Sequence, residues 1–591
     1  MLQNNKYPDS QIIYTDTARC RDCYKCLRSC PVNAIKLLDG QASIDSTKCI
    51  LCGTCLKECP QGAKKFRLDI VKVKKLLKEN SFVAVSIAPS FPAVYTESEI
   101  KRIPSMLRSL GFSNVSETSV GAGVIADGSA EYFSKNRANA FATACPSFVN
   151  YIEKYDGKSI DNLIPLNSPM IAHAKLLKSK FGEDIKVVFI GPCIAKKHES
   201  ERQEYKGIVD AVLTFTELNN WISDEGLNFN TLEESEFDAS PSGYSRYFPL
   251  VGGLAKTAEI NSDILDNENI IISGIDEIKD CLNSIISNSD PTFVEPLMCK
   301  HGCINGPGIT GNKSNLLKRK NVIDYAESKS LVESDQMLHC DFETSFNKNS
   351  VIEIQHYSEE QIRNVLEKTG KVNEEDQLNC GACGYNLCRD QAIAVLNDMA
   401  EVEMCIPFMR KLAEQRSDKI IETTPNGVVI VDGNLTIIKM NPAFRRFFMA
   451  TNSVIGKHIS YLMDPEPFVK LKESPSEKLE FTLSHNNYNI TCHHILYELL
   501  EEKQYVGIFV DITKRVSDSE KLDDLKLNTI RQAQELMDHQ IEVAQQLAKF
   551  LGESTARGEE LVDNLLKLTQ DEQINNSVRR NKGLWNTYIS K

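Results

Sequence analysis

The sequence predicts a multidomain chain in which α/β and α+β units follow one another, and three observations carry that prediction. Its 591 residues exceed the roughly 250–300 at which a single hydrophobic core stops growing. Near the start, Cys20, Cys23, Cys26 and Cys30 followed by Pro31, then Cys49, Cys52, Cys55 and Cys59 followed by Pro60, repeat a C-x2-C-x2-C-x3-C-P spacing. Farther on, apolar runs at 81–87 and 187–190 end at Ala88-Pro89-Ser90 and Gly191-Pro192-Cys193. Strands apolar on both faces belong in a covered parallel sheet, whose carboxyl ends open onto a ligand crevice.

The paired cysteine runs form the first element, residues 1–75. Their spacing is the ligand set of two-cluster ferredoxins, in which the fourth cysteine of each run serves the other cluster. One 4Fe-4S cluster then takes Cys20, Cys23, Cys26 and Cys59, and the other takes Cys49, Cys52, Cys55 and Cys30. A zinc ribbon is the alternative, but ribbons use paired C-x2-C knuckles without the terminal Pro. Nineteen cysteines at metal spacing in a long chain point to a reducing compartment, not to a disulfide framework. No apolar run approaches the roughly 18–20 residues of a membrane span and the first residues lack a signal-peptide pattern, so a cytoplasmic location away from membranes is expected. A net charge of -13 and an isoelectric point near 5.5 argue against a nucleic-acid partner. The local basic cluster Lys64, Lys65, Lys72, Lys74 and Lys75 reads as a solvated helix face.

The α/β region continues with an apolar strand at 269–272, a helix beginning near Asp276, and a strand at 293–298 that runs into Cys299, so several cysteines converge on one sheet edge. Residues 316–372 are polar, with a helical stretch at 359–368, and read as a connector. Cys380, Cys383 and Cys388 come next, with Cys405 seventeen residues farther on. Residues 420–513 have the pattern of a small sensor domain with a hairpin turn at Gly433-Asn434. In the tail, Leu527, Ile541 and Ala548 at one heptad position and Ile530, Met537, Ala544 and Leu551 at the other make a coiled-coil seam interrupted by Gln534. A single amphipathic helix packed on the sensor domain is the alternative.

Three segments resemble the signatures of FeFe hydrogenases: Phe141-Ala-Thr-Ala-Cys145-Pro146, Gly191-Pro-Cys193-Ile-Ala-Lys196-Lys197-His-Glu199, and Glu295-Pro-Leu-Met-Cys299-Lys-His-Gly-Cys303-Ile-Asn-Gly306. The resemblance implies an H-cluster, a 4Fe-4S cubane joined through one cysteine to a diiron unit with carbon monoxide, cyanide and an azadithiolate. It places Cys145, Cys193, Cys299 and Cys303 on the cubane ligands, with Cys303 as the bridge. Lys196 falls on the donor to one cyanide, and Ala88, Pro89 and Ser90 on the segment cradling the other. Catalytic members carry a proton-relay thiol where this chain has Ala144, and two pocket methionines where it has Gly191 and Leu297. Asp127, Glu131 and Glu199 are the acidic candidates for the remainder of a relay.

The Cys380, Cys383, Cys388 and Cys405 set resembles a small 4Fe-4S domain, with structural zinc as the alternative. Gly427 to Asp511, with Asn441-Pro-Ala-Phe444 and the closing Asp511-Ile-Thr513, resembles a PAS domain, whose ligand the sequence does not indicate. Cys281 reads as a core cysteine, His339-Cys340 as a weak metal pair, and Cys492-His493-His494 as strand residues among which a haem ligand is the less favoured reading. The expected order is a ferredoxin domain with two clusters at 1–75, an H-cluster domain at 76–315, a connector at 316–372, a third 4Fe-4S cluster at 373–411, a PAS domain at 412–515, and a helical coiled-coil signalling tail at 516–591. The expected function is a sensory FeFe hydrogenase of low activity that acts on H2 and protons. A separate kinase or phosphatase would be its output partner, ferredoxin a candidate electron partner, and a homodimer would form through the PAS domain and coiled coil. A ferredoxin-dependent catalytic hydrogenase tuned by its PAS domain, and an iron-sulfur scaffold lacking the diiron unit, are the competing readings.

Overall fold

The computed structural model describes residues 11–38, 40–239, 241, 243–261, 268–285, 290–329, 340–353, 355–473, 478–499, 503–513, 531 and 537. Two compact units emerge, one taking residues up to 367 together with 372–401, the other 368–371 and the chain from 402 onward. The division runs through the expected small domain: Cys380, Cys383 and Cys388 belong to the first unit and Cys405 to the second. The coiled-coil seam and His339 lie outside the described residues, apart from Met537.

The first unit opens with the cysteine repeat. Strands β1 (Ile13–Thr15) and β4 (Lys64–Phe66) pair antiparallel, as do β2 (Ile35–Leu38) and β3 (Gln41–Ile44). Short helices Lys25–Arg28 and Thr54–Glu58 occupy equivalent places in the two cysteine runs. The backbone repeats too: left-handed residues Asp22, Tyr24 and Asn33 in the first run recur as Leu51, Gly53 and Gly62 in the second. Positive φ is costly for residues such as Tyr24 and Leu51, and it persists where surrounding structure over-determines it. Lys64 corrects the reading of a solvated basic face. It is 4% exposed, and its Nζ donates to Thr15 Oγ1 at 2.6 Å and to the Ala42 carbonyl at 3.1 Å.

The α/β region holds two parallel sheets instead of one. In the first, β5 (Val83–Ile87) lies between β6 (Asn114–Glu117) and β8 (Lys186–Gly191), with β9 (Ala211–Thr214) beyond β8. In the second, β11 (Phe293–Leu297) lies between β10 (Asn269–Ser273) and β7 (Ala140–Phe141). Every residue of β5 and β11 is buried, which explains why these runs are mostly apolar without alternation; β6 is buried as well although it reads Asn-Val-Ser-Glu. Cys281 sits 7% exposed on the helix Ile275–Ile285, in the core beside β10 and β11.

Much of the expected connector is built into this body. Helix Asn315–Ser328 buries Val322, Tyr325 and Ala326, and the Tyr325 hydroxyl donates to buried Glu117 at 2.8 Å. Asn167, Thr344 and Ile352 make backbone hydrogen bonds that stitch 342–352 to the loop around Pro165 and to the last turn of the helix Pro146–Tyr155. Helix Glu359–Lys368 forms as expected.

The second unit is a five-stranded antiparallel sheet in the order β13 (Ile437–Met440), β12 (Gly427–Val431), β16 (Gln504–Asp511), β15 (Ile490–Leu499), β14 (Lys478–His485). The turn after β12 is a hairpin: Asp432 Oδ1 accepts from the Asn434 and Thr436 amides at 2.9 and 2.8 Å, and Leu435 takes the left-handed conformation. Asn441 caps the helix Pro442–Phe447 and donates to the Ile421 and Asn426 carbonyls at 2.9 and 2.7 Å. Cys492 and His494 face the core of the sheet, while His493 points the other way, within 3.2 Å of Thr482.

Candidate metal centres

In the cysteine repeat Cys26 and Cys55, at equivalent places in the two runs, are buried, and the other six cysteines are half-buried. The amides of Ala34 and Ala63, at equivalent places after the two Cys-Pro pairs, each donate to the preceding cysteine, Cys30 and Cys59, at 3.2 Å. Leu51 does the same for Cys49 at 3.4 Å. Burial pushes the Cys26 thiol up to about 11, and Cys20, Cys23 and Cys59 are the thiols whose charges act on it. Cys49 is pushed up to about 12 by burial, with Cys52 and Cys30 as its charged neighbours. Burial likewise pushes up Cys55, surrounded by Cys52, Cys49 and Cys30. These groupings coincide with the crossed sets read from spacing. The Lys64 ammonium lies within electrostatic reach of both Cys26 and Cys55 and opposes the rise.

The second centre forms where carboxyl ends of strands from both sheets come together, as ligand crevices of α/β folds do. Cys145 follows β7 and heads the helix Pro146–Tyr155. Cys193 follows β8, just before the helix Ala195–Glu201. Cys299 follows β11, and Cys303 begins a 3-10 turn after left-handed His301 and Gly302. A Cβ on Gly302 would stand 2.7 Å from the Pro249 carbonyl, which in turn accepts from the Cys303 amide at 2.8 Å. Glycine is therefore needed to bring Cys303 into place. Sulfurs at the two helix starts receive backbone amides, from Ser147 and Phe148 on Cys145 and from Ala195 and Lys196 on Cys193.

Burial raises all four thiols, Cys193 to about 12, and each of Cys193, Cys299 and Cys303 feels the charge of others in the set. Four half-buried cysteines whose thiolates would repel one another, two of them held by amide donors, suit a cationic iron cluster, whose charge reverses that repulsion. Lys196 adds the fixed positive charge. It is 7% exposed, acts on Cys145, Cys193 and Cys303, and its Nζ lies 2.7 Å from Glu199 Oε2 and 3.5 Å from the Ala144 carbonyl.

The remaining pocket residues also gather at these strand ends. Ala88, Pro89 and Ser90 are buried immediately after β5, and Ser90 Oγ has no hydrogen-bond partner. Buried hydroxyls are normally partnered, so this one fits a ligand acceptor such as cyanide. A Cβ on Gly191 would stand 2.5 Å from the Phe189 ring and 3.1 Å from Ala88 Cβ. An aromatic ring from two residues upstream thus fills the space beside Gly191. Leu297, 6% exposed, ends β11.

Among the acidic candidates, Glu199 alone reaches the site. Glu131 is exposed and paired with Lys135 at 2.5 Å, and Asp127 has the Glu259 carboxylate as its charged neighbour. Glu295 escaped sequence reasoning although it stands in the third motif. It is 2% exposed, burial pushes its carboxyl up to about 7 against the lowering effect of the backbone amides at 252–255, and its Oε2 accepts the Ala255 amide at 2.9 Å near the start of the helix Gly253–Thr257. The third cysteine set is described in parts. In the first unit Cys380 is exposed, with Cys383 and Cys388 half-buried. In the second, buried Cys405 caps the helix Ile406–Thr423 and its Sγ accepts from Lys371 Nζ at 3.2 Å.

Comparison with known proteins agrees with this layout. Residues 81–307 match the C-terminal domain of the iron-only hydrogenase large subunit, 19–63 a 4Fe-4S dicluster domain, 376–407 an Fe-S cluster family, and 425–514 a PAS domain. Iron hydrogenase 1 of Clostridium pasteurianum is 28% identical over 372 residues, which cover 51% of this chain and 65% of that protein. A cytosolic Fe-S cluster assembly factor of Vanderwaltozyma polyspora is 40% identical over 95 residues, 16% of this chain and 18% of that one. A solved FeFe-hydrogenase from Chlamydomonas reinhardtii aligns over 44% of this chain and 88% of its own, at 18% identity and a TM-score of 0.36. Among the described residues no helix is long and apolar enough to cross a membrane. Residues 81–307 are thus similar to the C-terminal domain of the iron-only hydrogenase large subunit, with a match to a 4Fe-4S dicluster domain before that region and to a PAS domain after it.

Proposed function

We propose that this chain is a hydrogen sensor built on an FeFe-hydrogenase site, binding hydrogen or turning it over slowly and reporting its redox state to a separate kinase or phosphatase. One observation carries the reading: buried Lys196 stands within electrostatic reach of Cys145, Cys193 and Cys303 while the residue beside it, Ala144, has no titratable side chain. Cys145, Cys193, Cys299 and Cys303 are the proposed cubane ligands, with Cys303 as the bridge. When bound, the diiron unit of an H-cluster supplies the place where hydrogen is taken up or released. The chain's own residues orient and enclose it. The buried Lys196 ammonium offers a charge-assisted donor to an anionic ligand, and the unpartnered Ser90 hydroxyl offers a second donor. At position 144 no group holds or passes a proton. A positioned proton donor is worth about 10²–10⁴ in rate, so the proposed turnover is low.

The PAS unit and the residues after it are the proposed reporter, with a homodimer as the signalling form and ferredoxin as an electron partner. An iron-sulfur scaffold is the second reading, favoured by the 40% identity to a cytosolic assembly factor. Ala144→Cys separates the two. In protein loaded with a diiron cofactor, hydrogen evolution should rise about tenfold or more once a relay thiol is restored. Equal rates in both proteins would contradict the relay argument, and absence of evolution from both would favour the scaffold.

A further inference from the structure

The loop between Cys380 and Cys388 lies directly on the cysteine repeat. Gly384 has a φ of +95°, and a Cβ there would stand 2.0 Å from Leu27 Cδ2 and 3.4 Å from the Arg28 amide nitrogen. Only glycine permits that approach to the helix Lys25–Arg28. Arg28 ties the two together, donating through Nη1 to the Ala382 carbonyl at 3.1 Å and through Nη2 to the Cys23 carbonyl at 3.2 Å. A backbone bond from Leu37 to the Met399 carbonyl, 3.0 Å long, closes the other side.

Tyr385 stands at the seam. It is 5% exposed, yet its hydroxyl has no hydrogen-bond partner. A cavity of about 570 Å³ opens beside it, lined by Cys30, Cys52, Lys57, Cys299, Gly384 and Tyr385 among others. Lys57 lies within electrostatic reach of Cys52 and Cys299 and donates to the Asn305 carbonyl.

We infer that Tyr385 is the positioning residue of a redox junction between the 380–388 cysteine loop and the second cluster site of the repeat, its hydroxyl donating a hydrogen bond to a sulfur of the cluster held by Cys30, Cys49, Cys52 and Cys55. A buried hydroxyl without a protein acceptor, lining the same cavity as Cys30 and Cys52, is the donor such a sulfur requires. Hydrogen bonds to cluster sulfur favour the reduced, more negative state and raise the potential. An electron that crosses the junction oxidises one reduced cubane and reduces its neighbour, with no proton or group transferred. The inference rests on the proposed ligand sets and is independent of hydrogen chemistry.

The test uses full-length protein with reconstituted clusters, reduced stepwise with dithionite and followed by electron paramagnetic resonance. Cys383→Ser, which removes the loop's own cluster, assigns the signals. In the parent protein the two reduced clusters should show spin–spin broadening. Tyr385→Phe should move the second ferredoxin cluster to lower potential and leave the first unchanged. Gly384→Leu should abolish the broadening while both signals remain. A Tyr385→Phe titration that overlays the parent, or a shift confined to the loop's cluster, would overturn the hydrogen-bond assignment, and this holds even if Gly384→Leu fails to fold. Broadening that survives Gly384→Leu would overturn the docked junction. Too little iron to fill the second site would overturn the ligand sets and this inference with them.

Discussion

Lys196 and Lys197 are chain neighbours on the helix Ala195–Glu201, where successive side chains diverge by about 100°, and they do different work. Lys196 faces the cysteines and Glu199. Lys197, 0% exposed, donates to Asp69 and Glu217 at 3.1 Å each and to the Val212 carbonyl at 2.7 Å. Glu217 is committed as well, since it completes a capping box with Thr214 and accepts the Asp69 amide at 2.7 Å. Removing one partner of a buried pair costs about 3–5 kcal/mol, because the other charge stays buried. Lys197→Met should therefore lower the melting temperature of the full chain by several degrees, with Glu217→Gln added to it recovering part of the loss. Melting at the parent temperature would contradict the structural role. Lys196 was legible in the sequence because a motif names its place. Lys197 was not, because Asp69 lies 128 residues away. Lys64 was misread for the same reason: its acceptors, Thr15 and Ala42, are 49 and 22 residues distant, and a local cluster of basic residues says nothing of them.

Among the elements, strands covered by the body announced themselves as apolar runs, and β5, β8, β10 and β11 fall where those runs predict, although β10 is only half-buried. Their division into two sheets was hidden, because pairing depends on neighbours and a buried run carries no record of them. The third strand of the second sheet, β7, is only two residues long, too short to leave a pattern. In the PAS unit, alternation along β15 put His493 opposite its neighbours, but the partner of His494 came only with the fold. His494 Nε2 lies 2.9 Å from His485 Nε2, inside a cage of Phe448, Phe481 and Phe509. Burial first, then the charges of His485 and His493, push His494 down to about 3. Its folded-state value thus lies below the ordinary 6.5, so below pH 6.5 the unfolded chain binds the extra proton. The associated stability is complete above pH 6.5 and declines as pH falls toward 3, by about 1.4 kcal/mol per unit. The melting transition of the PAS unit within the full chain should fall between pH 7 and pH 5, and should fall less in His494→Phe. Parallel pH profiles for the two proteins would contradict the buried neutral pair.

For the whole molecule, cysteine spacing determined more than composition did. The repeat, the three hydrogenase motifs and the PAS signatures each lie within a matched family region. Within each cysteine run loop conformation and sulfur position are specified together, whereas the thiols that act across the runs, Cys59 on Cys26 and Cys30 on Cys49, come together only with the fold. What spacing could not convey was contact between segments distant in sequence, such as the 380–388 loop on the helix Lys25–Arg28 or the stitching of 342–352 onto the α/β body. The central claim is that this body holds an H-cluster that responds to hydrogen while evolving it slowly. The direct measurement is infrared spectroscopy of the anaerobic full-length protein, incubated with a synthetic diiron cofactor and observed under argon and then under hydrogen. The account predicts carbon monoxide and cyanide bands that shift on admission of hydrogen, together with low hydrogen evolution. Intact cubanes with no such bands, or bands indifferent to hydrogen, would contradict it.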